Sequence, residues 1–188
     1  QYWNNLKKPK ERFIAFEGAY HGDTFGSMCL TARGGFNEPF ERFMFDVDFI
    51  PRPNGKNNKE VISSFKKLIQ KNNVSAFIFE PIVQGASGMN IYSSEVLSEL
   101  ITIANNANVI TIADEVFTGF GRTGTWFAID QLTSKPDIIC LSKALTGGFL
   151  PLGLTVVSQK IFEGFYSDEP KHTFLHGHSY TGSPLCCA

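Results

Sequence analysis

Short, nearly continuous apolar runs alternate along this chain with segments of helical spacing. Phe13-Ile14-Ala15-Phe16, Ala76-Phe77-Ile78-Phe79 and Val109-Ile110-Thr111-Ile112-Ala113 carry almost no polar residue on either alternate set. A strand with one wet face alternates, whereas a strand covered on both faces reads as a continuous apolar run, which is the habit of parallel sheets flanked by helices. Between the runs, Lys59 to Lys71 places Val61, Ile62, Phe65, Leu68 and Ile69 at the spacing of an amphipathic helix. A second helix is expected from Ser93 or Ser94 as cap to Asn106, with Glu95 in its first turn. Further strands are read over Phe43 to Ile50, Asp137 to Lys143 and Leu152 to Val157, with loops at Pro51–Gly55 and Gln84–Asn90. The pattern predicts an α/β fold, a mostly parallel central sheet with helices on both faces.

The chain has 188 residues, enough for one domain with a real core. A formal net charge of −1 implies no polyanionic partner such as nucleic acid, and no apolar run approaches the ~20 residues of a membrane span. Of the four cysteines, Cys186 and Cys187 are adjacent and Cys140 sits in an apolar run, so free thiols in a reducing cytoplasm are expected. The chain begins with Gln1 rather than Met, and Ser183-Pro184 reads as a helix start just before Ala188. A piece of a longer protein is the expectation, as is the absence of a signal peptide or membrane partner.

In open α/β sheets, ligands sit beyond the carboxyl ends of the strands. Glu80, Asp114 and Lys143 all fall at such ends. A lysine and an acid on successive strands suit pyridoxal phosphate chemistry, which needs an amine to hold the aldehyde and a carboxylate to keep a proton on the ring nitrogen. Asp114 and Val116 are two apart, so an extended strand end points both the same way, the acid to a ring nitrogen and the valine to a ring face. Glu115 is then turned to a structural partner. Gly147, Gly148 and Gly153 let backbone pass close to a bulky ligand. Tyr20, after the first strand, suits stacking on a ring or a place in the core. Ser179, Tyr180 and Thr181, within Gly177 to Gly182, offer hydroxyls to an anion or form a plain polar loop.

Three rival patterns are weaker. Gly119-Phe120-Gly121-Arg122-Thr123-Gly124 fits the dinucleotide fingerprint, but Asp114 to Thr118 separate it from the strand and Thr125-Trp126-Phe127 is a poor helix start. Ser142-Lys143 lacks the S-x-x-K spacing and the nucleophile elbow of serine hydrolases. His172, His176 and His178 have partial metal-ligand spacing, but Gly177 interrupts a helix; no metal is expected.

These stretches together resemble the class III pyridoxal phosphate aminotransferases over essentially the whole chain. The carrying segments are Tyr20 to Gly26, Glu80 to Gly85, Asp114 to Gly124, Ser142 to Gly148 and Leu175 to Gly182. The first and last favour the branch of the family that serves biotin synthesis. The resemblance implies a fold type I large domain, of which residues 1–188 would be the central part. It implies Lys143 as the catalytic amine that forms the Schiff base and Asp114 as partner of the pyridinium nitrogen, with Tyr20 and Val116 flanking the ring. Ser179 matches the hydroxyl that reaches the cofactor phosphate of a neighbouring subunit, hence a homodimer with shared sites. Asp23 and Arg122, with Tyr20, match residues near the substrate pocket, and Asp23 and Arg122 suit pairing with each other. Glu80 matches a glutamate near the cofactor.

Phe117 departs from the glutamine that many relatives carry. By resemblance the phosphate loop lies upstream of Gln1 and a substrate arginine lies nearer the C terminus, so residues 1–188 alone are expected to be inactive and to hold cofactor poorly. The implied reaction moves an amino group from S-adenosylmethionine to 8-amino-7-oxononanoate. An ω-amino-acid aminotransferase, an aminomutase with the same lysine chemistry and a degenerate binding paralogue are the alternatives.

Overall fold

The computed structural model describes residues 1–71 and 73–188. The chain runs through α1 (Tyr2–Asn5), β1 (Arg12–Phe16), α2 (Phe25–Leu30), β2 (Val47–Ile50), α3 (Asn58–Ile69), β3 (Val74–Phe79), β4 (Val83–Gln84), β5 (Asn90–Ile91) and α4 (Ser94–Asn106). It continues through β6 (Ile110–Asp114), β7 (Ile138–Leu141), β8 (Leu154–Val157), α5 (Gln159–Glu163) and α6 (Pro184–Cys187). The main sheet has six strands in the order β2-β1-β3-β6-β7-β8. Every neighbouring pair is parallel except β7–β8, which is antiparallel. The α/β, mostly parallel architecture expected from the apolar runs is therefore present.

All six residues of β3 are buried, as a central strand covered on both faces requires. Alternation then sends successive side chains into two cores. Phe77 and Phe79 join Ile14 and Phe16 of β1 and the inner faces of α3 and α4, through Phe65, Leu97, Leu100 and Ile101. Ala76 of β3 and Ile110 of β6 turn the other way and meet Trp3 of α1 and Ile161 of α5. Trp3 satisfies its indole there by donating Nε1–H to the carbonyl of Ser75 at 2.9 Å. Ser93 caps α4, its hydroxyl accepting from the amide of Val96 at 3.3 Å.

Two local expectations are corrected. The strand read over Phe43 to Ile50 is extended only from Val47; Glu38–Phe43 instead forms a 3₁₀ helix with Pro39 at its start. The loop read over Gln84–Asn90 has paired ends, because Val83–Gln84 and Asn90–Ile91 form a small antiparallel hairpin. At the far edge β8 is a strand as expected, with all four of its residues exposed.

Parallel pairing has one consequence for function. β1, β3, β6 and β7 all run the same way, so their carboxyl ends lie along one edge of the sheet. Whatever follows each of them converges on that edge.

Candidate active site

Beyond those four strand ends lies a cavity of about 430 Å³. The segment after β1 contributes Tyr20, His21 and Gly22; β3 is followed by Glu80, Gly85, Ala86 and Met89; β6 ends in Asp114 with Val116 and Phe117 after it; β7 is followed by Lys143. Asp114 and Lys143, expected on adjacent strand ends, thus line one space. Tyr20, Val116 and Glu80 line it as well.

Asp114 is buried and held at both oxygens. Oδ1 accepts from the amide of Val116 at 3.1 Å, and Oδ2 lies 2.8 Å from Nδ1 of His21. Lys143 sits in the single 3₁₀ turn Lys143–Leu145 that follows β7, with φ at +47°. A left-handed conformation is unusual for a residue with a Cβ and is found where surrounding structure overdetermines it, often at functional sites. Here Ser142 anchors the preceding position by donating its hydroxyl to the carbonyl of Leu152 at 2.6 Å.

Glu80 is 4% exposed, and both of its oxygens face backbone. Oε2 accepts from the amide of Gly85 at 2.8 Å and Oε1 from that of Tyr20 at 3.4 Å. Burial raises its pKa above the ordinary carboxylate value, against the lowering effect of the Gly85 amide and of nearby His21. Glu80 therefore ties two walls of the cavity together. Glu115, completely buried, is turned away as expected: it takes the amide of Ile129 at 2.8 Å and the hydroxyl of Thr118. That clamp folds the 116–128 segment back and leaves Asp114 alone to face the cavity.

Phe117 forms an aromatic wall. The guanidinium of Arg122 lies 4.4 Å from its ring centroid and Nζ of Lys143 5.8 Å away, both within reach of a cation–π attraction. Gly85 packs directly against this ring: a Cβ there would stand 2.8 Å from Cδ1 and 2.9 Å from Cγ of Phe117. Gly85→Ala is therefore expected to push Phe117 out of place at a cost of about 1–3 kcal/mol, the usual penalty of overpacking. Denaturant unfolding checks the cost. Near-ultraviolet circular dichroism checks the displacement of the ring.

The expected pairing of Asp23 with Arg122 is corrected. Asp23 accepts the hydroxyl of Tyr20 at 2.9 Å, while Arg122 covers Phe117. Ser179 lies in an exposed turn and does not line this cavity. Nor does the glycine-rich 119–124 stretch open an α-helix; it leads to a 3₁₀ turn at Ala128–Gln131. Among the described residues no group of three or more His, Cys, Asp or Glu is placed to hold a metal ion.

The class-III aminotransferase family profile matches residues 1–188, the full span of the chain. The chain belongs to the class-III aminotransferase family. Within that family it is 49% identical to the adenosylmethionine-8-amino-7-oxononanoate aminotransferase of Synechococcus elongatus, over all of this chain and 46% of the relative. It is 36% identical to the Staphylococcus aureus protein of the same name, over all of this chain and 45% of that one. The chain thus spans a little under half the length of these relatives.

Solved structures of family relatives agree in fold. The adenosylmethionine-8-amino-7-oxononanoate aminotransferase of Methanocaldococcus jannaschii superposes with a TM-score of 0.90 at 34% identity, over 99% of this chain and 44% of that one. A PLP-bound amine transaminase from an uncultivated Pseudomonas species gives 0.91 at 27% identity, over 99% and 45% of the two chains.

Sequence reasoning missed the role of one residue in this family site. His21 was visible only as the neighbour of Tyr20, yet it is the side chain that grips Asp114. The signal was its place in the first segment past a strand end, where any polar residue stands near the cavity.

Proposed function

We propose that this segment is the central part of the cofactor-binding large domain of a pyridoxal phosphate-dependent aminotransferase. The whole protein transfers the amino group of S-adenosylmethionine to 8-amino-7-oxononanoate, giving 7,8-diaminononanoate for biotin synthesis. The observation that carries the reading is the convergence of Lys143 and Asp114 on one cavity at neighbouring parallel strand ends. The names of the relatives at up to 49% identity support the choice of substrates.

The residues fit the cofactor. The cavity offers an amine, a carboxylate fixed by two donors, and the apolar Val116 and aromatic Tyr20 for the faces of a flat ring. When bound, pyridoxal phosphate supplies an aldehyde that takes up amines and a ring that absorbs carbanion charge. Lys143 is the residue that holds it. With the cofactor bound, Nζ of Lys143, when free, would serve as the base that takes a proton from the substrate carbon and as the acid that delivers it to the cofactor. Asp114, fixed by two donors, would face the ring nitrogen and favour its protonated form. Glu80 holds the walls bearing Tyr20 and Gly85, and Phe117 closes the side on which Arg122 lies. Arg122, over the Phe117 ring, and Asp23, bonded to Tyr20, are the residues proposed to face the substrate.

Ser179 is exposed and outside the cavity lining, where a hydroxyl serving the cofactor phosphate of a partner subunit in a homodimer would stand. A cytoplasmic location is consistent with the free thiols of all four cysteines. No helix among the described residues is long and apolar enough to cross a membrane.

The test is amino transfer by the whole purified protein. Formation of 7,8-diaminononanoate that requires S-adenosylmethionine is the expected result. Transfer from β-alanine in its place would reassign the protein to the ω-amino-acid branch.

A further inference from the structure

We propose that Phe36 is a specificity-determining residue for the amino donor: with Tyr20 it forms an aromatic platform at the mouth of the cavity, on which the adenine of S-adenosylmethionine stacks. The inference rests on the reading of this chain as part of an aminotransferase that uses that donor. It gives a task to a ring that stands just outside the cavity lining.

Single exposed apolar residues are common and mean little by themselves. Phe36 differs in how it is held. It is 80% exposed, yet the turn that carries it is tightly built. Asn37, 1% exposed, sits beneath the turn and uses both ends of its amide. Oδ1 accepts from the amide of Gly34 at 3.0 Å, and Nδ2 donates to the carbonyl of Ala32 at 3.0 Å. The turn is also tied to the segment that bears Tyr20. The Ala32 amide donates to the Ala19 carbonyl at 2.8 Å, and the His21 amide donates to the Thr31 hydroxyl at 2.9 Å. These bonds fix Phe36 beside Tyr20, with ring centroids 6.0 Å apart and planes at 60°. Other exposed phenylalanines nearby cover one another: Phe25 meets Phe40 and Phe43 edge to face. Among the described residues Phe36 has only Tyr20 as an aromatic neighbour, and its outer face is open.

Tyr20 lines the cavity, and Phe36 continues its aromatic surface outward. Gly34 and Gly35 leave the adjoining space free, since a Cβ on either would meet nothing within 4 Å. Neither has a positive φ, so neither backbone conformation nor packing within this chain calls for glycine there. A preformed flat apolar surface beside open room suits a flat heterocycle, which stacks on it face to face or edge to face. The two substrates differ in this respect. In S-adenosylmethionine the reacting amine and the purine stand at opposite ends, so an amine delivered to Lys143 leaves the purine outside the cavity. 8-Amino-7-oxononanoate has no aromatic ring. Phe36 therefore acts on one substrate and not on the other. The purine takes no part in the reaction, so its stacking is equal in ground and transition states and shows in KM rather than kcat.

Two substitutions separate stacking from mere apolar cover. In the whole protein, Phe36→Leu keeps an apolar side chain and removes the flat face. It is expected to raise KM for S-adenosylmethionine about fivefold to a hundredfold, the range for stacking one base on one aromatic ring. KM for 8-amino-7-oxononanoate and kcat are expected to stay within about twofold of wild type. Phe36→Trp restores the face and is expected to return the donor KM to the wild-type value or below. A donor KM that does not move in Phe36→Leu, or that rises together with the acceptor KM, overturns the inference and leaves the functional reading intact. So does a Phe36→Trp variant that behaves like Phe36→Leu. Should the variants fail to fold, the wild type with adenosine decides. Saturation passed from aromatic protons of the protein to H2 and H8 of the purine supports the inference, and its absence overturns it. A wild type that transfers no amino group from S-adenosylmethionine overturns the functional reading and this inference with it.

Discussion

Lys143→Ala in the whole protein is expected to abolish covalent retention of pyridoxal phosphate and to cut amino transfer by at least about 10²–10⁴-fold, the range supplied by one positioned acid–base group. Borohydride reduction followed by peptide mapping should fix cofactor on the segment after β7 in wild type and nowhere in the variant. The loss is chemical rather than structural. Lys143 lies in a short exposed turn whose anchor is the Ser142 hydroxyl on the Leu152 carbonyl, which alanine leaves in place. Unfolding free energy should therefore move little. Lys143→Arg sharpens the test, because a guanidinium keeps the positive charge near Phe117 but cannot form the Schiff base. Arginine that behaved like lysine would show that Nζ acts as a charge and not as a nucleophile, and the functional reading would fail.

How much of this site was legible in the sequence depends on how local its causes are. Asp114 and Lys143 were legible because a parallel sheet sends every strand end to one edge, so an acid and an amine at the ends of adjacent apolar runs must meet there. Glu115 was legible for a similar reason: period two turns it away from Asp114. The partner of Arg122 was not legible. Its choice of the Phe117 ring over Asp23 depends on how the 116–128 segment folds back under the Glu115 clamp, and on Tyr20 claiming Asp23 first. The region before β2 misled in another way. Phe43 and Phe45 look like strand residues, but Pro39 and the acidic Glu38 and Glu41 favour a helical start, and the 3₁₀ turn leaves Phe43 exposed beside Phe25. The hairpin of β4 and β5 is only two residues per strand, too short for any period to register. His21 has no periodic signature because it is a single residue in a connecting segment, and its importance follows from a contact 93 positions away in sequence.

Asp114→Asn is expected to leave the Schiff base to Lys143 intact while lowering amino transfer by about 10²–10³-fold, the loss typical of removing one preorganised charge or donor at developing charge. The two variants thus part company: alanine at 143 loses attachment, asparagine at 114 keeps attachment and loses activation of the ring. The local hydrogen bonds explain why an isosteric amide does not substitute. Asp114 receives two donors, the Val116 amide at Oδ1 and His21 Nδ1 at Oδ2. An asparagine has one oxygen and one NH₂ for those positions, so one donor meets another. The conflict is relieved only if His21 moves its proton to Nε2, and Nε2 is buried with no acceptor beside it. Either way a buried donor is left unpaired, at about 1–3 kcal/mol, and no negative charge remains to hold the ring nitrogen protonated. Thermal unfolding of the apoprotein should register the first effect, and the ring-nitrogen resonance of bound ¹⁵N-labelled pyridoxal phosphate the second. A variant with wild-type turnover and a still-protonated ring nitrogen would remove the carboxylate from the mechanism, and with it the reason for placing an acid at the end of β6.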